Sequence, residues 1–119
     1  NLVIDIPELA GNSANKFFDA LAAKKPVFLN HSSWLEKIVF AREFGITAWG
    51  LTTEQVAKLL TEKLNDPGWL SEASTNAADV ARKFFDIDDL ANNVISVLVA
   101  VLDGKNDQVY QHSRKLDSI

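Results

Sequence analysis

Asn12, Asn15 and Asp19 recur at helical spacing in "NSANKFFDALAAKKPVFLNHS", the stretch from Asn12 to Ser32, with Ser13 and Lys16 between them. Such a face could hold a polar ligand. A helix beginning near Ala14 would present unpaired amides and a partial positive charge at its tip, which suits a phosphate or carboxylate. Gly11 would let the backbone approach closely, Ser13 and Asn15 could add hydrogen bonds, and Lys16 would add charge. Asp19, one turn beyond Asn15, would reach a ligand's hydroxyls rather than its phosphates. A diphosphate joined to a ribose fits that polarity. The competing reading is simpler: Asn12 and Ser13 cap the helix and Asp19 solvates it.

The other candidates are weaker. His31 follows a predicted strand and could bond a ligand or act as acid or base, although a lone loop histidine is more often structural or solvated. His112 has no partner type nearby. Two distant histidines and no cysteine would force a zinc site to recruit carboxylates, which disfavours one. Asp86, Asp88 and Asp89 cluster where a helix start favours negative charge anyway. Ser32 and Ser33 read as caps, because the Gly-x-Ser-x-Gly turn of a serine nucleophile is absent. Trp34, Trp49 and Trp69 read as packing residues, with Trp34 placed to line a pocket. No catalytic residue and no metal ligand is expected.

These side chains need elements to position them. "NLVID" (Asn1 to Asp5) predicts a short strand, followed by the polar loop "PELAGNS". Ala14, Phe17, Phe18 and Leu21 mark one face of a helix over about Ala14 to Ala23. Pro26 closes it, and "VFLN" (Val27 to Asn30) predicts a second strand. Ser33 and Glu36 have the spacing of a capping box, and Leu35, Ile38, Val39 and Arg42 trace the helix that follows. Gly45 is expected to end that helix as a left-handed cap, with "ITAW" (Ile46 to Trp49) as a third strand. Thr52 and Gln55 form another capping box, opening a helix with a core face of Val56, Leu59, Leu60 and Leu64. "NDPG" (Asn65 to Gly68) breaks the chain before a helix marked by Trp69, Ala73, Ala77, Val80 and Phe84. Ile87 to Leu102 is rich in valine, yet Ile87, Leu90, Ala91, Val94, Ile95, Leu98 and Leu102 keep a helical period over a length unusual for a strand. Residues 105–119 form a polar tail.

Strands alternating with helices imply a parallel sheet, here of about three strands, in an α/β, partial Rossmann-like three-layer domain over residues 1–104. Ligands in such folds sit beyond the carboxyl ends of the strands. Those ends are Pro7 to Ser13, Asn30 to Ser33 and Trp49 to Thr52. The whole chain agrees with a single globular domain: it has 119 residues, 47% of them hydrophobic and 24% charged. A net charge of −4 without a basic face argues against nucleic acid. The most apolar run, Val94 to Leu102, is about half of what a membrane span needs. The absence of methionine and the strand-like opening lead us to expect a fragment of a longer protein.

The order of these pieces resembles the retaining GT-B glycosyltransferases of family four. Their core segment runs as a small-residue loop, Pro-Asn-Lys or Pro-Ser-Lys, two aromatics, Glu or Asp, Ala or Tyr, and Leu-Ala-Ala-Gly-Lys-Pro before a strand. Here it falls on Ser13, Ala14, Asn15, Lys16, Phe17, Phe18, Asp19, Ala20, Leu21, Ala22, Ala23, Lys24, Lys25 and Pro26. "FGITAW", "LLTEKLNDPGW" and "NAADVARKFFDIDDLANNVISVL" follow in the family's order, so the resemblance covers about residues 1 to 102. It implies the C-terminal donor-binding domain of a transferase that takes a nucleotide-diphosphate sugar of the UDP or GDP type. Asn12, Ser13, Ala14, Asn15 and Lys16 would lie at the diphosphate. Asp19 would take the place of the second carboxylate of the family's E-x7-E motif, near the ribose. Three positions depart from the pattern: Gly11 stands where the first carboxylate falls, Ala14 replaces proline and Lys24 replaces glycine. The donor-sugar contact is therefore unassigned.

The resemblance further implies a missing N-terminal acceptor domain, surface polysaccharide or glycoconjugate synthesis, and a cytoplasmic setting at the inner membrane face. Holding the activated sugar takes two domains, so the 119 residues alone are expected not to transfer sugar. Missing strands would leave the edge at Leu2 to Ile6 open to self-association. The alternative is a non-catalytic α/β binding or protein-interaction module. A receiver-like domain fits poorly, since the predicted strands end in Asn30 and Trp49 rather than in a phospho-accepting aspartate.

Overall fold

The structure is a computed structural model that describes residues 15–104. The predicted strand Asn1 to Asp5, its loop, and the tail from residue 105 lie outside the described residues. What is described is a mixed α/β chain, mostly helical, with a short parallel sheet of two strands. The chain divides into two compact units, Asn1–Ala81 and Arg82–Ile119.

Helix α1 (Asn15–Ala22) buries Phe17 and Leu21, four residues apart, and leaves Phe18 half-buried. Its end is a Schellman turn. Lys25 N donates to Ala20 O at 2.9 Å and Lys24 N to Leu21 O at 2.9 Å. Lys24 sits at φ 55, a left-handed backbone that glycine adopts without steric penalty. Lys24→Gly is therefore expected to stabilise the chain by about 0.5–1 kcal/mol, and a urea unfolding midpoint that falls instead would contradict this turn.

Strand β1 (Val27–Leu29) pairs in parallel with β2 (Gly45–Thr47), with Val27 opposite Gly45, Phe28 opposite Ile46 and Leu29 opposite Thr47. Helix α2 (Trp34–Ala41) connects them, packs against β2 and buries Leu35, Ile38 and Val39. Both strands are shorter than their sequence runs, although Ala48 N still donates to Leu29 O at 2.7 Å. Two expectations fail around α2. Gly45 is not its left-handed cap; Glu43, at φ 51, takes that conformation. Gly45 instead opens β2, where a Cβ would collide with Val27 O. The Ser33–Glu36 capping box is also absent. Ser33 is the N-cap, but its buried side chain makes no cap bond, and Glu36 N donates to the Ser33 carbonyl at 3.1 Å.

The remaining helices begin where side chains can satisfy their free amides. Helix α3 (Thr53–Leu64) opens on the expected box: Thr52 N donates to Gln55 Oε1 at 2.8 Å, and Gln55 N to Thr52 Oγ1 at 3.3 Å. Hydrogen bonds from its own backbone N–H and from Thr52 hold the Glu54 carboxyl below its ordinary pKa. Val56, Leu59 and Leu60 are half-buried, but Leu64 is 60% exposed, so the predicted core face is only partly covered. Helix α4 (Pro67–Phe84) starts with proline at its first position and Asp66 Oδ1 accepting from Trp69 N at 3.0 Å. It buries Ala73, Ala77 and Val80, and the boundary between the units falls within it. Helix α5 (Ile87–Leu102) is capped by Asp86, whose Oδ1 accepts from Asp88 N and Asp89 N. None of its residues is buried.

The core of the first unit gathers Phe17, Leu21, Val27, Leu29, Leu35, Ile38, Val39, Phe44, Ile46, Ala73, Ala77 and Val80. Phe17 and Phe44 meet with ring centroids 6.0 Å apart and planes tilted by 59°. An aromatic pair of this geometry adds to its area burial. It ties α1 to the residue that leads into β2.

Candidate functional site

Three of the six proposed ligand residues are described. Asn15 opens α1, and Asn15, Lys16 and Asp19 are all exposed on that helix. Asn12, Ser13 and Ala14, with Gly11, lie outside the described residues. Lys16 Nζ approaches Asp19 Oδ2 at 3.3 Å, a pair spaced by three residues. Exposed pairs of this kind contribute about 0–1 kcal/mol, so either partner can be recruited by a ligand with little loss. The arrangement thus puts a cation and an acceptor side by side on the first two turns of α1. It leaves Lys16 less committed to an anion than the sequence alone suggests, because Asp19 already neutralises part of its charge.

The other candidates resolve in structural terms. The acidic cluster works as a helix start: Asp86 caps α5, and Asp88 and Asp89 lie in its first turn. Among the described residues no group of three or more histidines, aspartates and glutamates stands where it could hold a metal ion. Trp34 is half-buried and Trp49 exposed, while Trp69 is half-buried with Lys63 Nζ 5.3 Å from its ring centroid. His112 lies outside the described residues.

Two features escaped the sequence reading. The first is an open groove of about 400 Å³ lined by Val39, Phe40, Glu43, Gly45, Lys63 and Trp69. Gly45 begins β2, so the groove lies at the amino end of that strand rather than the carboxyl end. Lys63 already covers a face of Trp69, which leaves less of the indole for stacking. Its residues come from four elements and have no common sequence pattern.

The second is the segment after β1. His31 is 3% exposed and Ser33 9% exposed, although both read as loop or cap residues. No sequence signal marks them, since "VFLNHSS" does not alternate apolar with polar; the alternation is in the burial. Val27, Leu29, His31 and Ser33 are buried, whereas Phe28, Asn30 and Ser32 are not, so the period of β1 runs on to α2.

No helix among the described residues is long and apolar enough to cross a membrane. Compared with family models, curated proteins and solved structures, the chain matches none.

Proposed function

We propose that this chain is part of the donor-binding domain of a retaining GT-B type glycosyltransferase and forms one wall of a nucleotide-diphosphate-sugar site. The observation that carries the reading is Lys24. The resemblance expects glycine there, and Lys24 holds a left-handed φ of 55 at the end of α1. The helix–strand order through α1, β1, α2 and β2 supports a partial Rossmann-like layer. In this reading Asn12 to Lys16 bind the diphosphate of a UDP or GDP sugar, and Asp19 takes the ribose hydroxyls. The parent enzyme would build surface polysaccharide or glycoconjugate at the cytoplasmic face of a membrane, with an acceptor domain that precedes this one.

Titration with uridine and guanosine diphosphates tests it. Either nucleotide should bind, and Asp19→Ala should weaken binding about tenfold through the lost hydrogen bonds to the ribose. Binding that is indifferent to this substitution, or absent for both nucleotides, would refute the assignment.

A second reading is a non-catalytic interaction module, and α5 is the observation that favours it. Val94, Ile95, Leu98, Val99, Val101 and Leu102 are all at least half exposed on that helix. Apolar exposure on this scale marks a surface made for contact.

A further inference from the structure

His31 and Ser33 follow the carboxyl end of β1, and both carry polar atoms that no described residue satisfies. His31 Nδ1, His31 Nε2 and Ser33 Oγ are buried with no hydrogen-bond partner among the described residues. Native proteins keep few such atoms, because a buried donor or acceptor forfeits its hydrogen bonds to water. They persist where something else completes them. Both side chains are buried, as Val27 and Leu29 are, although the chain has left β1 and bends at His31 and Ser33. Ser33 is also the N-cap of α2, yet its hydroxyl makes no bond to that helix. The Ser33 side chain thus gives the first turn of α2 no acceptor, Glu36 N donating to the Ser33 carbonyl instead, and the helix start keeps its partial positive charge.

We propose that His31, Ser33 and the first turn of α2 form a subsite for one phosphoryl group. The hydroxyl and the imidazole N–H both donate, and the helix start favours negative charge over a neutral ligand. A phosphoryl group offers several acceptor oxygens at once, which matches donors arriving from two side chains and a helix end. Its place beyond a parallel strand is where ligands of this fold class bind. Glu36, half-buried in the same turn, opposes the anion, so the donors must outweigh it. The subsite does not depend on a nucleotide sugar, and inorganic phosphate alone is the probe.

The whole chain, with its two histidines, is titrated with inorganic phosphate at fixed pH while both rings are followed by NMR. His31 signals are expected to shift to saturation while His112 signals do not. Ser33→Ala should weaken phosphate at least about tenfold, since it removes a hydrogen bond to a charged group. Without phosphate, the same variant should unfold at a higher urea concentration, because an orphaned hydroxyl has left the interior. Glu36→Gln should tighten phosphate severalfold. Three results would each overturn the proposal. One is the absence of saturation at His31, and another is parallel drift of both histidines with ionic strength. The third is acetate saturating the site with the same midpoint as phosphate.

Discussion

Replacing Gly45 by alanine is expected to remove about 3 kcal/mol or more of stability, although it adds a single methyl group. The reason is where that methyl must go. A Cβ on Gly45 would run into Val27 O and lie 2.8 Å from Val27 Cγ2 and 2.9 Å from Val39 Cγ1. The nearest atom belongs to the backbone of β1, and Val27 is the residue paired with Gly45 in the sheet. Neither side can retreat alone. Moving β1 breaks the pairing, and moving α2 opens the core around Val39. Typical domains have stabilities of about 5–15 kcal/mol, so a loss of this size is a large share of the whole. Urea unfolding of the variant measures it. A loss below about 0.5 kcal/mol would mean that the strands do not approach as described.

Phe44→Ala is the second large effect, with an expected loss of about 3–5 kcal/mol. Phe44 is 0% exposed and its ring lies against Phe17, itself buried in α1. Truncation leaves a cavity between α1 and the entry to β2, too enclosed to collapse fully. Phe17→Ala should lose a similar amount, and the double variant should lose less than the two singles together, since both empty one space. Phe40→Ala supplies the contrast. Phe40 is 79% exposed, and its removal should change stability by about 0.5 kcal/mol or less. Equal losses for Phe40 and Phe44 would reverse the burial assigned here.

That contrast shows what the sequence could and could not say. Phe40 and Phe44 stand four residues apart in "VFAREF", at a spacing that one helix would put on one face. Helix α2 ends between them at Ala41, the chain turns through a left-handed Glu43, and the common face is lost. Helix extent, by contrast, was legible wherever periodicity and a cap agreed. Ile87 to Leu102 is helical over the predicted span because Asp86 offers an acceptor at its start and a helical stripe runs its length. Valine content alone would have made it a strand. Thr52 and Gln55 cap α3 because both are exposed and free to reach each other's backbone. Ser33 and Glu36 have the same spacing, but Ser33 is buried and its hydroxyl makes no bond to the helix. Local motifs predict local bonds only where tertiary packing does not claim the side chain first.

The candidate site was legible in a narrower sense. Asn15, Lys16 and Asp19 share the exposed side of α1 as their spacing requires. Their pairing was not foreseen, because the sequence reading assigned Lys16 to a ligand. The burial of His31 was hidden for a different reason. Polar residues after a strand usually signal a solvated loop, and the alternation from Val27 to Ser33 exists in their burial rather than in their residue types.

The parallel pairing of β1 with β2 also bears on how the chain acquires its structure in time. Non-local strand pairing is slow when long loops must close first, since closure entropy grows with the chain between the strands. Here the loop between Leu29 and Gly45 contains a single helix, α2, which forms from local contacts. During synthesis both strands and α2 emerge before α3, α4 and α5 exist. The β1–α2–β2 unit can thus assemble as the leading event of folding, with the tight seat of Gly45 against Val27 fixing its register before the later helices arrive.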